Sequence, residues 1–139
     1  MFTVYVDTRF RASHCLSFPD GSKEPLHRHK WGVTAEISGN KLNEMGLLID
    51  FGLVKKALDE VVSVFENGTL EAIAHFKRNN SSAENVAQYI FEQLAARLSR
   101  LVRRGGRVQL ESVMVCEEAG CSAKYTNTPF TPEAGDKFH

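Results

Sequence analysis

Strict alternation of apolar and polar residues marks two strands in the first third of the chain. Residues 2 to 10 place an apolar side chain at nearly every second position, and residues 31 to 38 repeat the pattern before the turn signal Ser38-Gly39-Asn40. Because successive side chains of a strand point to opposite faces, a period of two predicts strands that are buried on one face. The apolar positions are Phe2, Val4, Val6, Phe10, Trp31, Val33, Ala35 and Ile37.

The middle of the chain changes to a helical period. Asp50 is the expected N-cap of a first helix that runs to Asn67-Gly68, and Ser81-Ser82-Ala83-Glu84 predicts a capping box that opens a second helix. Gly105-Gly106 is the expected end of this second helix. The apolar stripes are Val54, Ala57, Leu58, Val61, Val62 and Phe65 in the first helix and Val86, Ile90, Leu94, Leu98 and Leu101 in the second.

The last third returns to strands. Residues 107 to 117 and 121 to 126 predict two strands joined by the turn "EAG", and residues 127 to 139 are expected to be an irregular tail. The order strand, strand, helix, helix, strand, strand predicts one α+β domain over residues 1 to 126. Its expected architecture is an antiparallel four-stranded sheet with two helices on one face.

Composition and charge narrow the range of partners. The 139 residues include 17 Lys and Arg against 17 Asp and Glu, so the formal net charge is zero. A chain without net charge has no long-range field to gather polyanions, which argues against nucleic acid and against anionic membranes as partners.

The termini and the cysteines indicate a soluble, cytoplasmic protein. The N-terminus "MFTVYVDTRF" lacks the basic and apolar segments of a secretory signal, and no apolar run approaches the roughly 20 residues that span a bilayer. Cys15, Cys116 and Cys121 are an odd number, so we expect reduced thiols rather than a disulfide framework.

Three of the five histidines frame the first two strands. His27 and His29 are two residues apart, so in an extended segment both rings point the same way, and His14 can join them if the strands form a hairpin with a long loop. Three imidazoles with an open fourth position are typical of catalytic zinc. Glu24, three residues before His27, can move protons beside such a metal if the loop folds back.

Less specific interpretations remain open for the same residues. Two histidines at this spacing are more often exposed surface residues than ligands. Cys116, Cys121 and His75 are a rival thiolate site, but their spacing matches no familiar zinc motif, and buried structural cysteines are the preferred interpretation.

Five short motifs, in order, resemble the 6-pyruvoyltetrahydropterin synthase family, which also includes 6-carboxytetrahydropterin synthases. Its usual pattern is F-x-A-A-H, H-G-H, G-M-V-x-D-F, P-T-A-E-N and V-x-V-x-E-T. The chain has "FRASH" at 10 to 14, "HRH" at 27 to 29, "GLLIDF" at 46 to 51, "SSAEN" at 81 to 85 and "VMVCEE" at 113 to 118.

The resemblance implies a fold, an assembly and a site. The fold is the tunnelling fold (T-fold), and its subunits assemble as a homohexamer of two trimers. Carried over by motif, the zinc ligands are His14, His27 and His29, and Glu117 holds the pterin through two hydrogen bonds.

The base position departs from the usual family pattern. Most members have a cysteine four residues before the first histidine of H-G-H, where this chain has Lys23. One subgroup instead carries Glu-x-x-His-Gly-His, and "EPLHRH" fits it with Arg28 in place of the glycine, so Glu24 is the expected base. That subgroup resembles enzymes that convert 7,8-dihydroneopterin triphosphate to 6-hydroxymethyl-7,8-dihydropterin.

The family's Asp-His pair is also altered. One register places "FEN" at 65 to 67 there, with neither aspartate nor histidine. A second places "IAHFKRN" there, so that His75 keeps the histidine and Ala74 replaces the aspartate, and we favour this second register. A solvent-exposed loop histidine is an equally good interpretation of His75.

The resulting expectation is a zinc-dependent lyase on a dihydropterin, with Glu24 and His75 as catalytic residues and Glu117 as the substrate anchor. The altered base and Asp-His positions leave a second hypothesis, a pterin-binding protein without the usual turnover. A hexameric scaffold without a ligand is a third. The sequence does not distinguish a 6-pyruvoyl, a 6-carboxy or a 6-hydroxymethyl product.

Overall fold

One mixed sheet organises the fold. The computed structural model describes residues 1 to 101 and 108 to 127, and its strands lie in the order β3-β1-β2-β4-β5. A 3-10 turn, Leu70–Ala72, follows β3. The elements are β1 (Phe2–His14), β2 (His27–Gly39), α1 (Phe51–Ser63), β3 (Gly68–Thr69), α2 (Ala74–Arg78), α3 (Ala83–Leu101), β4 (Val108–Glu118) and β5 (Cys121–Thr126).

The predicted four antiparallel strands are present, and the structure adds a fifth. Strands β1, β2, β4 and β5 pair antiparallel as neighbours, whereas β3 pairs parallel to β1 at only two positions, Ala12↔Gly68 and Ser13↔Thr69. The two residues of β3 are too few to show a period in sequence, and so are the five residues of α2. The predicted first helix therefore covers only α1, and the segment after it is built from short elements.

The first two strands extend beyond their apolar alternation. β1 continues to His14 and β2 begins at His27, and these two residues are opposite each other at the end of the ladder. The alternation over residues 2 to 10 and 31 to 38 therefore marked strands that were too short, because polar side chains at a ladder end do not stop backbone pairing. The predicted hairpin with a long connecting loop is confirmed, with residues 15 to 26 as the loop.

The core fills the space between one sheet face and the helices. Helix α1 packs on β1, and α3 packs on β4 and β5. Phe10 stacks on Trp31 with ring centroids 5.7 Å apart, and the Trp31 indole N–H donates to the Ala12 carbonyl at 3.2 Å. The Trp31 ring centroid lies 4.8 Å from that of His14 and 5.7 Å from that of His29, so this packed layer forms the floor beneath the histidines.

The helix starts follow the predicted caps with one correction. The Asp50 carboxylate accepts the Gly52 N–H at 2.8 Å, as expected of an N-cap. The second helix starts at Ala83 with Ser82 as its cap, because Asn85 N–H donates to the Ser82 hydroxyl at 3.2 Å. The predicted capping box was therefore wrong, because the residue three positions after Ser82 is Asn85 rather than Glu84, and Ser81 is buried instead.

Some predicted features fall beyond the described residues. They are the helix end at Gly105-Gly106 and the tail from residue 128 onward. Within residues 1 to 101 and 108 to 127, no helix is long and apolar enough to cross a bilayer. Cys15, Cys116 and Cys121 are free thiols.

Candidate metal centre

Four potential ligands converge where β1, β2 and β4 end. His14, His27, His29 and Glu117 each offer one atom, and these atoms all lie within 4.8 Å of one another. His27 and His29 project from the same side of β2, as their spacing predicts, with ring centroids 4.7 Å apart. The ring of His14, across the ladder, lies 4.5 Å from that of His27.

A β-bulge delivers the carboxylate. In the β4–β5 pairing, Cys116 is opposite Ser122 and Glu118 is opposite Cys121, so Glu117 is the extra residue between two paired positions. A bulge of this kind bends the strand and re-aims a side chain. The Glu117 Oε1 lies 2.7 Å from His14 Nε2 and 3.4 Å from His29 Nε2.

Backbone carbonyls orient two of the imidazoles. His14 Nδ1 lies 2.8 Å from the Ser81 carbonyl, and His27 Nδ1 lies 2.9 Å from the Pro25 carbonyl. Because a carbonyl only accepts, each Nδ1 carries a proton, and in the neutral ring each Nε2 then has its lone pair available to the centre of the cluster. Metal-ligating histidines are commonly oriented in this way.

The His14 Nε2 atom is buried without a hydrogen-bond partner. It approaches Glu117 Oε1 to 2.7 Å, but without hydrogen-bond geometry, and both atoms are acceptors when Nδ1 holds the proton. With His14 neutral, these are two acceptors in contact at 1% exposure of His14, an arrangement that a cation between them stabilises. The donor set of three imidazoles and a carboxylate therefore fits a divalent metal, and zinc accepts both types of ligand.

Glu24 lies beside this cluster, at the end of the loop. Its backbone N–H donates to the Leu16 carbonyl at 2.9 Å, and its Oε1 accepts the Leu16 N–H at 2.9 Å. These two bonds fold the loop back onto itself and place Oε1 3.8 Å from His27 Nε2. A carboxylate held at this distance is outside the group of four ligand atoms but adjacent to it.

The ring contacts described for His75 are with residues outside the four-residue cluster. It belongs to α2, and its ring lies 5.0 Å from the Phe76 ring and 5.1 Å from the Tyr89 ring, centroid to centroid. Within the part of the chain that the structure describes, no hydrogen bond or ion pair joins its side chain to the four-residue cluster.

In the other register, "FEN" lies next to the first two strands. The Arg11 backbone N–H donates to a Glu66 carboxylate oxygen at 3.1 Å, and the Arg28 guanidinium donates to the Asn67 side-chain oxygen at 2.7 Å.

The rival thiolate site is not assembled among the described residues. The only group of three or more potential ligands found there is the histidine and glutamate cluster. The Cys116 thiol instead donates to the Glu118 carbonyl at 3.1 Å.

Two residues behind His14 were not anticipated from the sequence. Ser81 accepts the His14 Nδ1–H through its carbonyl and donates its hydroxyl to Glu71. The sequence offered Ser81 as a helix cap, and Glu71 carries no motif. Glu71 belongs to the 3-10 turn, and the tertiary packing of this turn next to β1 brings Glu71 and Ser81 into contact.

Comparison with known proteins gives one family. The family model described as 6-pyruvoyl tetrahydropterin synthase matches residues 3–128. A 6-carboxy-5,6,7,8-tetrahydropterin synthase from Rickettsia typhi is 29% identical over 107 aligned residues, which cover 64% of this chain and 77% of that protein.

Solved structures show the same fold. The Caenorhabditis elegans 6-pyruvoyl tetrahydropterin synthase superposes with a TM-score of 0.76 at 20% identity, covering 91% of this chain and 96% of that one. A Plasmodium vivax 6-pyruvoyltetrahydropterin synthase, in which a residue described as catalytic is replaced by alanine, gives 0.72 at 19% identity, covering 89% and 96%. The predicted T-fold is confirmed, with the short β3 in addition to its four main strands.

Proposed function

This chain belongs to the 6-pyruvoyl tetrahydropterin synthase family, and from that premise we propose that it is a zinc-dependent lyase acting on 7,8-dihydroneopterin triphosphate or a close analogue. The observation that carries this function is the convergence of three imidazoles and one carboxylate within 4.8 Å. The relatives are pterin synthases by name, which supports a pterin as the substrate class.

His14, His27 and His29 would hold the metal through their Nε2 atoms. Support comes from the two backbone carbonyls that keep protons on Nδ1 of His14 and His27, and from the unpartnered Nε2 of His14. When bound, zinc polarises and acidifies hydroxyl groups of a substrate side chain.

Glu117 would anchor the pterin ring. An ionised carboxylate presents two acceptor oxygens, which match the paired N–H donors along one edge of a pterin. At 25% side-chain exposure, Glu117 is sheltered from water and still accessible to a ligand. Its position next to His14 and His29 would hold the substrate side chain close to the metal ligands.

Glu24 would be the base. Its carboxylate would accept a proton from the substrate side chain as the carbon–carbon or carbon–oxygen bond breaks, and return it to the product. The Leu16 N–H fixes the carboxylate near His27, which supports this role. In the Plasmodium vivax relative the replaced catalytic residue is a glutamate, which is consistent with a carboxylate as the base.

His75 would assist as an acid that reaches the substrate from outside the cluster. Its ring packs against Tyr89 and Phe76, so it contributes less to proton transfer than Glu24 does in this proposal. We therefore expect His75→Gln to lower kcat less than Glu24→Gln, measured under identical zinc loading.

A product assay tests this function. The zinc-loaded chain is incubated with 7,8-dihydroneopterin triphosphate, and products are identified by mass. We expect conversion to one pterin whose mass distinguishes the 6-pyruvoyl, 6-carboxy and 6-hydroxymethyl side chains. Binding without conversion contradicts the lyase.

A pterin-binding protein without this turnover is the second candidate. It is favoured by Lys23, which occupies the position of the usual family cysteine, and by the contacts described for the His75 ring, which are with Phe76 and Tyr89 and not with the metal cluster. Under this alternative, isothermal titration detects pterin binding that depends on Glu117, while the mass assay detects no product.

We also propose that the chain assembles as a homohexamer. Among the described residues, the outer edge of β1 is paired only at Ala12 and Ser13, and Phe2 and Tyr5 on the same strand are 46% and 61% exposed. A long open edge with exposed apolar side chains favours pairing with another subunit. Light scattering is expected to give six times the 15.5 kDa chain mass, and a monomer contradicts the assembly.

A further inference from the structure

A buried hydroxyl and a carboxylate lie behind the most buried imidazole of the cluster. Ser81 has no exposed surface, and its carbonyl accepts the His14 Nδ1–H at 2.8 Å. Its hydroxyl donates to Glu71 Oε1, and the same hydroxyl oxygen lies 3.3 Å from His14 Nδ1. Imidazole, hydroxyl and carboxylate therefore form one continuous hydrogen-bonded series.

Glu71 is fixed from a second side. Its Oε1 also accepts the backbone N–H of Cys15 at 3.0 Å, the residue that follows His14. Its other oxygen is buried without a partner. A carboxylate that is buried in this way is costly unless its charge is used, and here both donors on Oε1 lead directly to His14.

The direction of the hydrogen bonds determines how this hydrogen-bonded series acts on the His14 ring. Because the Ser81 hydroxyl gives its proton to Glu71, its oxygen is left to face the His14 Nδ1–H as an acceptor. The negative charge of Glu71 is thus transmitted to the ring through one hydroxyl. A carboxylate that faces the remote nitrogen of an imidazole fixes its tautomer and raises its basicity as a metal ligand.

His27 provides an internal contrast. Its Nδ1 also faces a carbonyl, that of Pro25, but its side chain is 38% exposed and no carboxylate stands behind that carbonyl among the described contacts. The groups behind His14 therefore differ from those behind His27, because they include a buried hydroxyl and a carboxylate.

We propose that Glu71 and Ser81 are positioning residues of the metal centre, which orient His14 and strengthen it as a ligand. This role rests on the proposed function, since it requires that the cluster binds a metal. Neither residue touches the substrate in this assignment, so both act on the metal through His14.

The affinity for Zn²⁺ tests the role directly. Competition with a chromophoric chelator gives the Kd of the purified chain and of its Glu71→Gln and Ser81→Ala variants. Loss of a supporting residue of this type weakens metal binding by about 10-fold to 100-fold, and we expect that range for each variant. The double variant is expected to bind Zn²⁺ no more weakly than either single variant, because both changes interrupt the same hydrogen-bonded series.

The molecule contains a matched control. The Ser38 hydroxyl donates to Glu111 Oε1 in another serine–carboxylate pair, with Ser38 buried, and no hydrogen bond or ion pair among the described residues joins this pair to a histidine. Ser38→Ala and Glu111→Gln remove the same chemical groups, and their Kd for Zn²⁺ is expected to equal that of the parent chain. Thermal unfolding of the metal-free chains shows whether the two pairs differ in their effect on stability alone.

Each outcome has one meaning. A parent chain that binds no Zn²⁺ overturns the proposed function together with this role. A parent chain that binds Zn²⁺ with an affinity unchanged by Glu71→Gln and Ser81→Ala overturns the positioning role alone. Equal losses in the control pair, or additive losses in the double variant, also contradict it, because they indicate a general loss of packing.

Discussion

Two polar clusters of this fold differ in how their hydrogen-bonding groups are matched. Between β1 and α1, Lys55 donates to Asp59 at 2.7 Å and to the Thr8 hydroxyl at 3.3 Å, and Thr8 in turn donates to Asp59. At the ladder end, His14 and Glu117 present acceptors to each other at 2.7 Å. In the first cluster donors and acceptors are matched within the chain, whereas the second has two facing acceptors, the arrangement that a cation stabilises.

Burial increases the contrast. The Asp59 side chain is 47% exposed, and that of His14 is 1% exposed. Water can compensate a mismatch at Asp59 but not at His14. Mismatched acceptors kept in a buried site are therefore better evidence of a binding site than polar residues that merely cluster.

Loss of two imidazoles is expected to have the largest effect. Replacing His27 and His29 together by alanine leaves His14 as the only one of the three proposed zinc ligands, too few for a stable zinc site. We expect loss of stoichiometric zinc and of all turnover, by elemental analysis and by the mass assay. Asp59→Asn, at the matched cluster, is the control and keeps both. Turnover by the metal-free double variant contradicts the metal centre.

Removal of the proposed base should come next. Glu24→Gln keeps an acceptor for the Leu16 N–H, so the loop keeps its fold while the proton acceptor is lost. We expect kcat to fall by about 100-fold to 10,000-fold, the usual contribution of general acid–base catalysis. Zinc content measured on the same sample should be unchanged. An unaltered kcat would show that a residue other than Glu24 is the base.

The substrate anchor is expected to have a smaller effect. Glu117→Gln retains one acceptor but turns an amide toward the second N–H of the pterin. Each lost hydrogen bond to a charged group is worth about 1.5 to 3 kcal/mol, or about 10-fold to 100-fold in Kd for the pterin. Calorimetric titration with a dihydropterin measures it. An unchanged Kd means that Glu117 serves the metal alone.

The matched cluster should give the smallest change. Burial raises the pKa of Asp59, but the hydrogen bonds from Lys55 and Thr8 and the charge of Lys55 outweigh it, so the pKa lies below its ordinary value of 3.8. A lowered pKa stabilises the fold above the unfolded-state pKa, and that stability is lost as pH falls through the folded-state pKa. Asp59→Asn should cost about 0.2 to 1 kcal/mol at pH 7, and the difference in the free energy of unfolding should vanish in acid. A difference that grows below pH 3.8 contradicts this assignment.

Most of the fold could be predicted from periodicity because the long elements each bury one face. β5 matches its predicted bounds, Cys121–Thr126, and β4 is shifted by only one residue. The short elements between α1 and α3 could not be predicted, since segments of two to five residues show no period. The strand ends at His14 and His27 were missed because their polar side chains break the alternation.

The site was predictable only in part. The spacing of His27 and His29 indicated a shared direction, and the family motifs named His14 and Glu117. Nothing in the sequence indicated that the carbonyl of Ser81 would orient His14, because a backbone group carries no residue signature. Glu71 was equally hidden, since its role depends on a contact 56 residues away in the chain, with the N–H of Cys15.

X-ray absorption at the zinc edge of the zinc-loaded chain tests the metal centre most directly, because it reports the ligand atoms themselves. We expect only nitrogen and oxygen neighbours, at about 2.0 to 2.2 Å, with the multiple scattering of imidazole rings. A sulfur neighbour at about 2.3 Å, which Cys15, Cys116 or Cys121 would give, or an absence of imidazole scattering would contradict the assignment of the metal to His14, His27 and His29.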